Sequence, residues 1–349
     1  MHSLYENLHK ETSVIGSFPL ENVKYPLIPK NLDLIRSQLR TWLKIQQKAN
    51  VDYPYAQANM YHQYLTDPNV RGIEKANKGY VTDGFFEVTG PVQHDTLKYL
   101  QKLASELGYE PVGWMIPVTG PFSFSFQIKE KNSKTRLMNT HWGIRTIAED
   151  LVKPIIESYD SEFSNNIIRQ DEPIAENNAL TTGGVYLQEG FDSSYLIEIW
   201  NKTTEVIHPE KNIPALHSCG RVGYLGSILS KTEYFKLFSH EFFTEADQKK
   251  SSSPHESINM NSYTKENLKG KFLGFGIVDS KSLVMETNEK IENYMQIGMN
   301  KFGRETLHVH PGCGFGGHEP TPELPMSELE KRIFRKLQLV DYARNIGLN

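Results

Sequence analysis

The chain has 349 residues, of which 38% are hydrophobic and 23% are charged, and its formal net charge at pH 7 is −4. This is ordinary globular composition, so a large buried core can form, and the lack of a basic excess argues against nucleic acid as a partner. We find no apolar run long enough to span a bilayer and no apolar core of a secretory signal, so we expect a cytoplasmic protein without a membrane partner.

Short stretches rich in β-branched and aromatic residues alternate along the chain with amphipathic helical patterns. In chain order, the predicted strands are 13–18, 51–57, 112–120, 166–171, 213–219, 240–245, 271–279 and 306–312. The clearest predicted helices are 31–49, 94–108, 134–159, 194–207, 288–303 and 327–347. Eight strands alternating with helices predict a (β/α)₈ barrel, and we expect residues 1–349 to form one such domain with loop insertions. From the pattern alone, an open doubly wound sheet is the alternative.

One polar segment, residues 247–268, interrupts this alternation after the sixth predicted strand. Its richness in serine and asparagine fits a solvated loop. It equally fits a lid over an active site, because the active-site loops of barrels follow the strands.

The two cysteines, Cys219 and Cys313, are the informative residues. Two cysteines this far apart do not make the disulfide framework of a small secreted protein. Buried core thiols are the plain interpretation. However, both cysteines adjoin glycine in polar surroundings, LHSCGRV and HPGCGFGG, whereas a core cysteine normally has apolar neighbours.

A set of metal-binding side chains follows the ends of the predicted strands. His217 and Cys219 are two residues apart on one strand, so both side chains point to the same face, and imidazole with thiolate is a zinc-type pair. Glu245 ends the next predicted strand, and Cys313 follows the eighth. Barrels carry their chemistry at the carboxyl ends of their strands, so we predict that these four residues bind one Zn²⁺.

The charge of this ligand set indicates the kind of chemistry. Two thiolates and a carboxylate overcompensate a dication, which makes the metal a poor activator of water. It can still favour the ionised form of an incoming thiol, whose pKa is otherwise about 8.5. The set therefore fits S-alkylation better than hydrolysis.

Other side chains near these positions compete for the same roles. His308 and His310 form a second pair with a spacing of two, which we interpret as structural or as supporting the ligands. Glu241 rivals Glu245, and we prefer Glu245 because it ends the predicted strand that Glu241 begins. The glycines of GCGFGG (312–317) resemble a phosphate loop, but no helix and strand follow them, so we interpret them as room for the backbone near the metal.

Motifs along most of the chain resemble the catalytic carboxyl-terminal barrel of cobalamin-independent methionine synthase, in the superfamily that includes uroporphyrinogen decarboxylase. The matching motifs are SVIGSFP (13–19), VTGP (118–121), IIRQDEPI (167–174), LHSCG (216–220), FFTEA (242–246), GFGIVDSKS (274–282) and HPGCGFG (310–316). The resemblance implies that His217, Cys219, Glu245 and Cys313 are the zinc ligands, and the decarboxylase branch lacks this set.

The resemblance also implies an amino-acid pocket. Gly16 and Ser17 would hold the carboxylate of homocysteine, and Asp171 would hold its ammonium group. A carboxylate at a strand end suits that role, although Asp171 could instead cap the segment that follows.

Several positions depart from the family pattern. The family has two barrels, whereas this chain has room for one. The family's second ammonium-binding acid has no counterpart in VDYPYAQANM (51–60), its folate-stacking tryptophan appears as Gln127, and its proton-donating histidine falls at Lys281. We predict catalytic roles for Lys281 and Asp279, with an electrostatic role or a structural ion pair as alternatives for Lys281.

The sequence thus predicts a zinc-dependent methyltransferase that acts on a thiol, with homocysteine as acceptor and methionine as product. The methyl donor would be a methylfolate or a methyl-corrinoid carried by a partner protein. The alternatives are an enzyme acting on another thiol such as coenzyme M, a zinc-free decarboxylase-like lyase, and a non-catalytic thiol- or zinc-binding protein.

Overall fold

Seven parallel strands form the central sheet. The computed structural model describes residues 8–14, 18–20, 28–46, 51–52, 60–77, 79–108, 111, 113–173, 192–219, 222, 224–243 and 259–348. The strands are β1 (Val51–Asp52), β2 (Trp114–Thr119), β3 (Asn166–Asp171), β4 (Asn212–Ser218), β5 (Leu237–Glu241), β6 (Phe272–Val278) and β7 (Leu307–Pro311). Each pairs with the next in chain order, and every pair is parallel.

The beginning of the chain extends the sheet beyond β7. Thr12 forms a parallel bridge with Val309, and the Ser13 amide donates to the Val309 carbonyl over 3.3 Å. The first predicted strand, 13–18, therefore starts beside the last one, and its residues 15–17 lie outside the described residues. Eight strand positions in sequential order confirm the predicted (β/α)₈ barrel and exclude the doubly wound sheet, whose strand order reverses.

The helices follow the strands on the outside. They are α1 (Pro29–Asp33), α2 (Arg36–Ile45), α3 (His62–Leu65), α4 (His94–Glu106), α5 (Pro121–Gln127), α6 (His141–Thr146), α7 (Lys153–Glu162), α8 (Ser193–Thr204), α9 (Tyr224–Leu229), α10 (Asn288–Phe302) and α11 (Met326–Asn345). Short strands at Val70–Arg71, Glu74–Lys75, Tyr80–Thr82, Glu87–Val88 and Ile128–Glu130 form two small sheets beside the barrel.

Several of these helical regions differ from the prediction. The predicted helix 31–49 is two helices, α1 and α2, and the short helices α3, α5 and α9 are not predicted. The predicted helix 134–159 is divided, and a π-helical turn, Ile147–Val152, joins α6 to α7. Pro154 explains this turn, because its ring would meet the carbonyl of Asp150 in a continuous α-helix.

The interior of the barrel changes character along its axis. At the amino ends of the strands it is filled by a buried apolar cluster: Leu8, Met115, Ile167, Ile213, Ala215 and Leu237. Toward the carboxyl ends the inward positions become polar, as at Arg169, His217 and Ser239, all of which are buried. The apolar layer lies below the polar layer, and barrels of this kind bind their ligands at the carboxyl-terminal rim.

Glu172 connects the end of β3 to the start of α5. Its carboxylate accepts hydrogen bonds from the Phe122 and Ser123 amides, at 3.2 and 2.9 Å, and from the Ser123 hydroxyl at 2.7 Å. The Trp200 indole donates a fourth, at 3.3 Å. An acceptor at this position satisfies amides that the first turn of a helix leaves unpaired. Burial nevertheless raises the pKa of the Glu172 carboxyl to about 7, against the effect of these donors.

This pKa predicts a pH-dependent contribution to stability. Because the folded value exceeds 4.5, the folded state holds the proton more tightly, and the contribution of Glu172 is complete at low pH and is lost as pH rises through 7. As pH rises from below 4.5 to above 7, the unaltered protein should lose roughly 3 kcal/mol of unfolding free energy relative to Glu172→Gln. Urea unfolding of both proteins across the range measures this, and a difference that stays constant with pH would contradict the prediction.

A buried ion pair fixes the segment after β6 against α11. The Lys336 ammonium lies 3.0 and 2.9 Å from the two carboxylate oxygens of Glu286, and its side chain has no exposed surface. The same carboxylate accepts the Asp279 amide at 2.9 Å. The pair therefore holds the backbone of Asp279 at the rim.

Removing the cation alone should be costly, because it leaves a buried carboxylate uncompensated. We expect Lys336→Met to lower the unfolding free energy by about 3–5 kcal/mol. The matched control is Lys336→Met with Glu286→Gln, which removes both charges and keeps an acceptor for the Asp279 amide. Denaturant unfolding should show a smaller loss for the double variant, and an equal loss in both would refute the argument.

Candidate metal centre

Two of the predicted ligands meet at the end of β4. His217 is on the strand, Cys219 is the first residue after it, and both are buried. The Nε2 atom of His217 lies 3.1 Å from the Sγ atom of Cys219. The spacing of two therefore has the predicted effect of placing both side chains on one face.

Cys313 joins this pair from the segment after β7. Its Sγ atom lies 2.9 Å from the Sγ atom of Cys219, and the ligand atoms of all three residues lie within 4.8 Å of one another. Contact with Cys313 and burial hold the pKa of the Cys219 thiol well above its ordinary value. Binding of a metal would therefore displace thiol protons.

Ser239 and His310 orient the imidazole of His217. The Nδ1 atom of His217 lies 3.1 Å from both the carbonyl oxygen and the hydroxyl of Ser239 on β5. The same hydroxyl also lies 3.0 Å from Nε2 of His310 on β7. Donation from Nδ1 to the carbonyl leaves the Nε2 lone pair directed at the cysteines, the usual arrangement of a metal-binding histidine.

Electrostatics favour the same state of His217. Burial, then the charges of Arg169 and His310, hold the pKa of His217 well below its ordinary value, so the ring is neutral and able to bind a metal. His308 lies nearer the amino end of β7, where its Nε2 contacts the Ser13 hydroxyl at 2.6 Å and its Nδ1 contacts the Leu8 carbonyl at 2.7 Å. These contacts support the interpretation of His308 as structural and of His310 as supporting a ligand.

The observed end of β5 changes the choice between Glu241 and Glu245 as the carboxylate ligand. The predicted strand 240–245 is in fact Leu237–Glu241, so Glu241 ends the strand rather than beginning it. Ser239 pairs in register with His217, which places Glu241 level with Cys219. Glu245 lies outside the described residues. The reason for preferring Glu245 over Glu241 was therefore wrong.

The aromatic pair that suggested a longer strand belongs to the core. Phe242 lies 4.9 Å from the Phe275 ring, and Phe243 stacks on Tyr294 of α10 at 3.7 Å between centroids. Most of the polar segment 247–268 lies outside the described residues, so the lid remains a prediction. At its described end, the Asn259 side chain donates to the Glu241 carbonyl over 2.6 Å.

The predicted catalytic residues lie at the rim beside the cysteines. Asp279 follows β6, and its carboxylate accepts the Lys281 amide at 2.9 Å. The Lys281 ammonium lies 2.8 Å from a carboxylate oxygen of Glu241, and half of its side chain is exposed. Burial lowers the pKa of Lys281, but the attraction of Glu241 outweighs burial and raises the pKa above its ordinary value. Lys281 is therefore a weak acid in this arrangement.

Asp171 ends β3 and is buried, as expected of a pocket residue, but it is not alone there. Its two carboxylate oxygens face the guanidinium of Arg169 at 2.5 and 2.9 Å. Arg169 is a site residue that the sequence motifs do not reveal by themselves. Gly16 and Ser17, the predicted carboxylate site, lie outside the described residues.

Tyr61 is a second residue that the sequence argument missed. Its phenol is hydrogen-bonded to the Gln127 side chain and lies within electrostatic reach of Asp171 and Cys219. Burial raises its pKa to about 12, so it is a neutral hydrogen-bonding group. The one sequence signal for Tyr61 is its position between β1 and α3, after the carboxyl end of a barrel strand. Gln127, at the tryptophan position of the family, is thus part of a polar contact.

Comparison with known proteins shows which family the chain resembles. Residues 165–322 match the family described as cobalamin-independent synthase, catalytic domain. The matched span contains His217, Cys219 and Cys313, and the resemblance inferred from the motifs is confirmed. The match supports a methyltransferase. No curated protein sequence matches the chain.

Solved structures with low sequence identity to the chain have the same fold. A B12-independent methionine synthase from Shewanella sp. W3-18-1, in complex with selenomethionine, superposes with a TM-score of 0.61 at 16% identity, over 94% of this chain and 98% of that one. A putative vitamin-B12 independent methionine synthase from Listeria monocytogenes gives 0.63 at 14%, over 96% and 98%. A methyltransferase from Methanosarcina mazei gives 0.58 at 15%, over 99% of both chains.

Proposed function

We propose that the protein is a zinc-dependent thiol S-methyltransferase. The observation that carries this proposal is the convergence of His217, Cys219 and Cys313 on one buried point at the rim of a barrel of the synthase family. In the reaction, a methyl group leaves its donor and forms a bond to the sulfur of an acceptor thiol. The acceptor's proton must be lost before or during that step.

The donor set fits zinc. One imidazole nitrogen and two thiolates are typical zinc ligands, whereas magnesium and calcium prefer oxygen. When bound, zinc would lower the proton affinity of an incoming thiol and keep its sulfur nucleophilic. Ser239 holds the His217 ring in place, and the apolar layer below keeps water from approaching from the amino ends of the strands.

Glu241 and Glu245 are the two candidates for a fourth ligand. The position of Glu241 at the end of β5, level with Cys219 and buried, supports Glu241. The motif resemblance was read in favour of Glu245. Glu245 itself lies outside the described residues.

Two classes of acceptor fit the proposal. The family resemblance favours homocysteine, which would give methionine. The ion pair between Arg169 and Asp171 favours a thiol without an amino group, of which coenzyme M is one example, because the carboxylate predicted to bind the ammonium group already has a cation.

Zinc binding is the first test of the proposal. The protein should bind about one zinc ion per chain, and Cys219→Ser and Cys313→Ser should each lose most of it. Ser218→Ala is the matched control, because Ser218 lies between two ligands but points to the opposite face. Metal analysis after dialysis measures this. A full zinc content in both cysteine variants would refute the ligand set. Catalytic activity of the zinc-free protein would favour the decarboxylase-like lyase.

The same measurement separates the two glutamates. Glu241→Gln and Glu245→Gln remove one negative charge each with little change of shape. The variant of the true ligand should bind zinc more weakly, while the other should match the unaltered protein. Unchanged affinity in both variants would mean that three residues hold the metal.

The methyl donor is the next test. A methylfolate releases its methyl group readily only when the nitrogen is protonated, and Lys281 is a weak acid because Glu241 binds its ammonium group. We therefore expect little or no turnover with free methyltetrahydrofolate, and more with a methyl-corrinoid or another activated methyl group. Product formation with each donor in turn is the measurement. Robust turnover on folate alone, abolished in Lys281→Met, would overturn this expectation and make Lys281 the proton donor.

A further inference from the structure

A buried ion pair lies inside the barrel one strand away from the candidate metal centre. Arg169 and Asp171 are two residues apart on β3, so their side chains share the inward face. The arginine side chain is completely buried, and its Nε and Nη2 atoms meet the two carboxylate oxygens at 2.5 and 2.9 Å. This bidentate geometry is the strongest form of such a pair.

Strand register places the pair beside the metal ligands. Asp171 is paired with His217 on β4 and with Thr119 on β2. Arg169 lies one layer deeper, level with Ala215 and in contact with the Met115 sulfur. A thiol that reaches Cys219 and Cys313 from the rim therefore has Asp171, backed by Arg169, along the side of its path.

The pair changes what Asp171 can recognise. Its negative charge is already offset by a cation that the same strand holds in place, and both of its oxygens are in contact with that cation. A substrate ammonium group at this carboxylate would lie close to the guanidinium in a buried environment, where like charges repel strongly. Glu241, the acid next to Cys219, is likewise paired with Lys281.

We propose that Arg169 sets the acceptor specificity, and that this pocket takes small thiols without an ammonium group, such as mercaptoalkanoates, in preference to aminothiols. This inference rests on the proposed thiol methyltransferase function. Asp171 then acts as the anchor of Arg169, and Arg169 is a specificity-determining residue.

Two thiols that differ only in the amino group test the inference. They are homocysteine and 4-mercaptobutyrate, titrated into the zinc-loaded protein by calorimetry and compared as substrates with the same methyl donor. We expect the unaltered protein to bind 4-mercaptobutyrate about tenfold or more tightly than homocysteine. In Arg169→Gln the released carboxylate can meet an ammonium group, so the preference should shift toward homocysteine by a similar factor.

A double variant provides the matched control. Arg169→Gln with Asp171→Asn keeps two hydrogen-bonding side chains and removes both charges, so the shift toward homocysteine should be absent. If the single variant does not fold, the preference of the unaltered protein still decides the matter. Tighter binding of homocysteine by that protein, selectively lost in Asp171→Asn, would overturn the inference and restore Asp171 as the ammonium site. Zinc-loaded protein that neither binds nor methylates either thiol would overturn the proposed function and this inference with it.

Discussion

The parallel register of β3, β4 and β5 is the constraint on which the candidate site depends. It sets Asp171, His217 and Ser239 side by side at one level of the barrel. Because side chains alternate between the two faces of a strand, a slip of one residue would turn a strand's whole inward set toward the helices. The next strand makes room for these side chains. A Cβ atom on Gly274 would lie 2.8 Å from Nε2 of His310, and one on Gly276 would lie 2.5 Å from the His240 carbonyl oxygen.

Burying so many polar groups is tolerated because they are partnered inside the barrel. Ser239 lies between His217 and His310, Ser13 contacts His308, and Arg169 contacts Asp171. A buried polar group that loses its partner lowers the unfolding free energy by about 1–3 kcal/mol, and a buried charge that loses its partner lowers it by more. His217, Ser239 and His310 therefore form one chain of contacts, and a change at one member alters the orientation of the next.

The sequence predicted the positions that follow a simple period. The bounds of β3, Asn166–Asp171, match the prediction, and the convergence of His217, Cys219 and Cys313 followed from strand ends in a barrel. The prediction from sequence failed where tertiary packing overrides the local pattern. Phe242 and Phe243 resembled strand residues, but they fill the core beyond β5, and this error moved the predicted strand end away from Glu241.

The missed elements have the same kind of cause. The alternation in FSFSF hides the helix α5, whose first turn depends on the carboxylate of Glu172, a residue about fifty positions away. The sequence also does not mark Arg169, whose side chain is completely buried and paired with Asp171. For α5 the deciding contact is tertiary, and for Arg169 it is burial inside the barrel, so no local pattern reveals either one.

Under the proposed function, the two substrates are recognised at different depths. The ligands and Arg169 are buried, so the character of the thiol is decided inside the barrel, one layer below the rim. Lys281 is half exposed at the rim and is bound to Glu241, while Gln127 is bound to Tyr61. A methyl donor must approach from that side, because the apolar layer closes the other end. The acceptor pocket and the donor surface can therefore change independently. This fits a chain that keeps the proposed zinc-binding cysteines of the family it resembles and departs from that family where the donor would lie.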